Sequence, residues 1–205
     1  MAISLAYRDQ GRVVRMGILG FSLGLGLAGL TAAGLAGKVE VGSYRSTMAV
    51  IYALVGLFVG TLLGISLRSR AGVLVAILSA LGMGSGYYFS QLVIEQLGAA
   101  RLTPYLGPEI GPLAFTFVQF VFMGLLTGAL VGLAQARGEQ VVRGALAGML
   151  GLGLAYLVQA ASYGPLLGFL FQPFFDWISG GTIQLLLPQM ISWGIAGSVV
   201  GLLVV

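Results

Sequence analysis

The sequence predicts an all-α, polytopic integral membrane protein, with six transmembrane helices arranged as three repeated helical hairpins. Three observations predict it. Of 205 residues, 58% are hydrophobic and only 8% charged, with a mean hydropathy of +1.02, whereas soluble domains run near 25% charged. Apolar runs of about bilayer-spanning length alternate with short polar connections. Inside those runs glycines recur every fourth residue: Gly56, Gly60 and Gly64, then Gly124, Gly128 and Gly132, and in part Gly197 and Gly201. Glycines at this spacing share one helix face and remove the side chains that would hold a neighbour away. In water such a face costs about 1 kcal/mol per glycine. In a bilayer, close backbone contact is one of the few attractions left between helices.

The first apolar run, residues 16–37, follows Arg8, Arg12 and Arg15. It is longer than the roughly 7–15-residue core of a signal peptide, so it reads as a retained first helix. A polar turn at 38–47 leads to a second helix at 48–67, and Arg68 and Arg70 form the next loop. The third helix is expected at 73–94. A longer link follows, in which Pro104, Pro108 and Pro112 predict non-helical backbone at several points. The fourth helix is expected at 113–134, a short polar loop at Arg137, Glu139 and Arg143, and the fifth helix at 144–163. Residues 164–188 are apolar but broken by Pro165, Pro173, Asp176 and the pair Gly180-Gly181, and a sixth helix is expected at 189–205.

Charge predicts orientation. Seven of the ten basic residues (Arg8, Arg12, Arg15, Arg68, Arg70, Arg137 and Arg143) fall on one side of this topology. Lys38, Arg45 and Arg101 fall on the other, with Glu40, Glu95, Glu109 and Asp176. The positive-inside rule then puts both termini in the cytoplasm. Two longer connections face outward, one carrying Phe169, Phe171, Phe174, Phe175 and Trp177 as an interfacial aromatic belt.

The repeat rests on a tetrad near the start of each odd-numbered helix: Leu23-Gly24-Leu25-Gly26, Leu81-Gly82-Met83-Gly84 and Leu150-Gly151-Leu152-Gly153. Each follows arginine and precedes an outward connection and a helix with glycines four apart. We therefore read one membrane domain over 1–205, with repeat units of about 12–67, 70–134 and 143–205. All three hairpins enter from the same side, so they are parallel repeats about an axis along the membrane normal. The third departs from the pattern, because Trp193 stands where Gly56 and Gly124 would be. That face is expected to meet lipid, a ligand or a different partner.

The chemistry is sparse. There is no cysteine and no histidine, which removes thiol catalysis, disulfides and the usual imidazole ligands and bases. No acidic or basic residue falls near the centre of an expected span, where ion and proton paths place theirs. Glu95, Glu109 and Asp176 read as solvated charges of the outer connections. Inside the spans Gln119, Gln159 and Tyr156 are the polar groups of interest, Gln119 chiefly for an interhelical hydrogen bond. With Asp176, Trp177 and Trp193 they are the candidate ligand or partner contacts. No catalytic residue, metal site or cofactor is expected. The candidate helix-packing residues are Gly24, Gly26, Gly56, Gly60, Gly64, Gly82, Gly84, Gly124, Gly128, Gly132, Gly151, Gly153, Gly197 and Gly201.

A basic residue, a glycine-zipper helix, a short aromatic outer segment and a second glycine-zipper helix occur together at Arg143, Gly144, Gly148 and Gly151 with Trp193, Gly194, Gly197 and Gly201. The pattern resembles bacterial membrane segments found beside phosphopeptide-binding FHA domains, although this chain holds no FHA domain. The resemblance implies a multi-pass protein of the bacterial inner membrane.

Two functions are weighed. The first is a non-enzymatic membrane subunit or scaffold, packing through glycine-zipper helices in a larger complex, with the lipid bilayer and other membrane subunits or further copies of itself as partners and no nucleic acid. The second is a transporter or substrate-binding membrane component for a small, largely apolar molecule. A polar internal cavity would favour transport, and a solid interior with exposed glycine stripes would favour assembly.

Overall fold

The computed structural model describes residues 11–24, 43–66, 72–97, 99–134, 138–163, 190–191, 193–195 and 197–198. Six helices carry them, with no strand among the described residues. They are α1 (11–24), α2 (Tyr44–Ser66), α3 (Gly72–Leu97), α4 (Ala99–Leu133), α5 (Gly138–Tyr163) and α6, described in pieces between 190 and 198. Four segments are long and apolar enough to cross a bilayer: Tyr44–Ile65, Gly72–Gln96, Ile110–Leu133 and Gly138–Val158. The fold is that of a multi-pass membrane protein.

Several boundaries differ from the sequence expectation, for local reasons. The link after the third helix is mostly helical: α3 runs to Leu97 and α4 begins at Ala99. In place of several interruptions, α4 holds one break, at Gly107 (φ 79°, ψ 164°). Only glycine enters that region at little cost. Pro108 then takes the first helical position after the break, where its missing N–H would have had no partner anyway. At the other end of the bundle, Glu139 and Arg143 lie within α5, where they form an i,i+4 ion pair. Glutamate in the first turn also suits the positive end of the helix dipole.

The helices meet where side chains are missing. Along the α2·α3 seam, a Cβ on Gly64 would lie 2.7 Å from the Gly72 Cα, and one on Gly60 would lie 2.7 Å from the Ala76 Cα. One on Gly56 would overlap the Ser79 carbonyl. The α4·α5 seam is tighter: Gly124 faces Gly148, Gly128 faces Gly144 and Gly132 faces Gln140, backbone on backbone. A third seam joins the two ends of the chain, where a Cβ on Gly197 of α6 would fall 2.5 Å from the Gly17 carbonyl of α1. Thus the glycine stripes of α2 and α4 each seat on the helix that follows, and they are buried within the molecule.

The tetrad glycines serve the remaining contacts. Gly24 meets Val55 and Phe58 of α2, Gly84 meets Ala49 and Ala53 of α2, Gly82 meets Thr127 of α4, and Gly153 meets Val121 and Phe117 of α4. Gly151 is buried. Gly26 and Gly201 lie outside the described residues. The outer faces carry aliphatic side chains, such as Leu54, Leu57 and Ile65 on α2 and Leu146, Leu150, Leu154 and Leu157 on α5. In a bilayer these meet lipid at no penalty.

Gly128→Leu should therefore lower stability by at least the roughly 1–3 kcal/mol of an overpacked core, because the facing atoms are backbone and cannot rotate away. Gly138→Ala is the contrast, with nothing within 4 Å of the added methyl. It should be neutral or stabilising by up to about 1 kcal/mol. Thermal unfolding in detergent checks both, and equal melting of Gly128→Leu and the parent protein would remove the steric reading.

Candidate functional site

The interior between the seams is aromatic. Tyr52 of α2 stacks on Tyr87 of α3, with ring centroids 4.8 Å apart and an interplanar angle of 22°. Phe120 of α4 stacks on Tyr156 of α5 at 5.3 Å and 26°. Both pairs lie between an even-numbered helix and the helix after it, on the same two pairings that the glycines make. Phe120 also meets the edge of Trp193 at 5.5 Å, and Trp193 stacks on Phe21 of α1 at 5.6 Å. Met83 and Met123, both fully buried, complete the centre. Methionine is unbranched and fills the irregular gaps that large rings leave.

The polar groups singled out from sequence fall partly into this region. Gln119 is 6% exposed on α4, and its amide acts on the Tyr87 phenol across the α3·α4 contact. Tyr156 is buried beside Phe117 and Phe120, with the Thr116 hydroxyl acting on its phenol. Gln119 and Tyr156 therefore flank the same aromatic cluster. Trp193 is 1% exposed, so its ring lies in the interior and not on a surface open to lipid or a partner. The Gln159 side chain, Asp176 and Trp177 lie outside the described residues, as does the Glu109 side chain.

A cavity of about 30 Å³ adjoins the aromatic cluster. Its walls come from five helices, through Phe21 of α1, Val59 and Leu63 of α2, Ser79 and Met83 of α3, Thr127 and Val131 of α4, and Leu152 of α5. Gly124, Gly128 and Gly148 complete the lining, so the absent side chains that allow the α4·α5 seam also leave this space. Thr127 donates to the Met123 carbonyl at 2.7 Å, as Thr61, Thr116 and Ser90 also return to carbonyls of their own helices. Ser79 does not. Its Oγ is buried with no hydrogen-bond partner and lies against Gly60. An unmade bond of this kind costs about 1–3 kcal/mol.

Sequence reasoning missed an ion pair. Glu95, read as a solvated loop charge, lies on α3 and pairs with Arg45 of α2. The Arg45 guanidinium also sits over the Tyr88 ring, 5.6 Å from its centroid. The signal was the antiparallel register: once Gly64 faces Gly72, the start of α2 and the end of α3 share one end of the bundle. The carboxylate of Glu95 is half exposed, so this pair fixes position more than it adds stability.

Among the described residues no group of three His, Cys, Asp or Glu side chains is placed to hold a metal ion. Comparison of the chain with protein-family models, curated proteins and solved structures found no match.

Gln119→Leu should leave the Tyr87 hydroxyl unpaired, and Tyr87→Phe should leave the amide unpaired. Each single change should cost about 1–2 kcal/mol, and the double variant less than their sum, with coupling near 1 kcal/mol. Unfolding of the four proteins in one detergent measures it, and strict additivity would show that the two groups do not interact.

Proposed function

We propose that the protein is a non-enzymatic membrane subunit or scaffold, built as three similar hairpins with both termini in the cytoplasm and acting within a larger assembly of the bacterial inner membrane. The observation that carries this reading is the close packing of the described helices. Small-molecule sites usually enclose roughly 300–1,000 Å³. Here the cavity walled by Phe21, Ser79, Met83, Thr127 and Leu152 holds only about 30 Å³, and glycine-to-backbone contacts close the seams beside it. Because the glycine stripes are already spent within the molecule, partner helices would meet the aliphatic outer faces instead. The antiparallel helices support the orientation by gathering Arg12, Arg15 and Arg143 at one end and Arg45 with Glu95 at the other.

A second reading, a transporter or binding component for a small apolar molecule, draws on the buried Gln119–Tyr87 pair and Tyr156, the polar groups of the aromatic interior.

Gentle extraction from native membranes, size exclusion and mass spectrometry of the co-eluting material separate the two. Partner proteins in fixed ratio are expected. A lone monomer or homo-oligomer carrying a bound small molecule would favour the second reading. Orientation has its own test, because the chain contains no cysteine. In right-side-out spheroplasts a membrane-impermeant maleimide should label Ser43→Cys and spare Ser69→Cys; the reverse pattern would invert the topology.

A further inference from the structure

We propose that the end of the bundle where α2 starts and α3 finishes binds one zwitterionic phospholipid, phosphatidylethanolamine, with its headgroup on the Arg45–Glu95 pair. The two bilayer-crossing segments of these helices begin at Tyr44 and finish at Gln96. Arg45 and Glu95 therefore stand one residue inside a span end, at the depth where headgroups lie.

Each charge occupies the end of its helix that the helix dipole opposes. Arg45 is the second residue of α2, where free N–H groups already make the end positive. Glu95 lies in the last turn of α3, where free carbonyls already make the end negative. Glu139, in the first turn of α5, shows the favourable placement. The result is two adjoining poles, arginine with the donors of α2 and glutamate with the acceptors of α3. The pair carries no net charge, so an anionic headgroup gains little from it. A phosphate and an ammonium on one headgroup find a pole each.

Both poles have capacity to spare. The Glu95 carboxylate is half exposed, and a carboxylate accepts several hydrogen bonds. Arg45 has five N–H donors, and its guanidinium is held in place over the Tyr88 ring. Only an ammonium with N–H groups can donate to the carboxylate, which selects ethanolamine over choline.

The surface below the pair suits acyl chains. Leu81, Tyr88 and Glu95, seven residues apart, share one exposed face of α3. Beside that row Ala49 and Ala53 of α2 rest against Gly84 and stay partly exposed. The seam thus carries no tall side chain there, and a shallow apolar furrow runs from the ion pair towards the membrane centre.

Native mass spectrometry of the purified chain tests this with dioleoyl lipids that differ only in headgroup: phosphatidylethanolamine, its N-methyl and N,N-dimethyl forms, phosphatidylcholine and phosphatidylglycerol. One ethanolamine lipid should be retained, and affinity should fall with each N–H replaced by methyl, about tenfold or more by choline. Choline bound as tightly as ethanolamine overturns the role of Glu95, and tighter binding of the glycerol lipid overturns the neutral pair. Glu95→Gln should erase the preference for ethanolamine over choline; a folded variant that keeps it also overturns the site. Should that variant not fold, the methylation series on the parent protein decides alone.

Discussion

The contact of backbone with backbone, made possible by missing side chains, is the constraint on which the rest of this structure depends. Lipid tails are as apolar as leucine, so burying leucine against leucine yields little inside a bilayer. What remains is dispersion at short range, which falls off within an ångström of separation. Gly128 against Gly144 and Gly64 against Gly72 bring the helices close enough to gain it. The aromatic stacks of Tyr52 on Tyr87 and Phe120 on Tyr156 then follow, because each sits farther along a pair of helices whose register the glycines have already set. Aliphatic residues serve both sides: Val55, Val59, Leu63 and Leu152 fill the interior, while Leu54, Leu57, Leu150 and Leu154 face outward.

The existence of α2–α5 was legible because apolar runs of that length have few alternatives, and the glycine spacing marked which faces are buried. Which helix receives a given face was not legible. Periodicity describes one helix at a time, and the stripe of α2 fits the face of α3 no more obviously than that of another helix or another protein. The expectation that these stripes would be free for partners came from that gap. Helix ends were misplaced wherever a charge or proline was taken as a loop: Glu139 and Arg143 satisfy each other on the first turns of α5, and Gly107 absorbs in one residue the disruption expected from three prolines. Trp193 was noticed as an exception to the pattern, but its direction was decided by Phe21 and Phe120, which sequence alone could not bring to it.

The few polar groups inside show how a bilayer-sized bundle meets its hydrogen-bonding needs. Hydroxyls on Thr61, Ser90, Thr116 and Thr127 return to carbonyls of their own helix, which requires no partner and specifies no neighbour. Gln119 has more donors and acceptors than that solution serves, and its amide acts on the Tyr87 phenol of the neighbouring helix. It therefore fixes the relation of α3 to α4, where the glycine contacts are with side-chain-bearing residues such as Thr127 and Met123. Ser79 stands apart, giving up a hydrogen bond where α2 approaches most closely.

The seam between Gly17 and Gly197 sets a schedule for biosynthesis. The stripe on α2 finds α3 within a few residues of leaving the ribosome, and α4 finds α5 as quickly. The face of α1 meets its glycine partner only after 180 further residues have been made, which at ribosomal rates of about 5–20 residues per second takes roughly 9–36 s. Throughout that interval the Gly17 face of α1 waits without its glycine partner, while Gly20 and Gly24 on the same helix can already rest on Val59, Leu62 and Val55 of α2 and hold it in place.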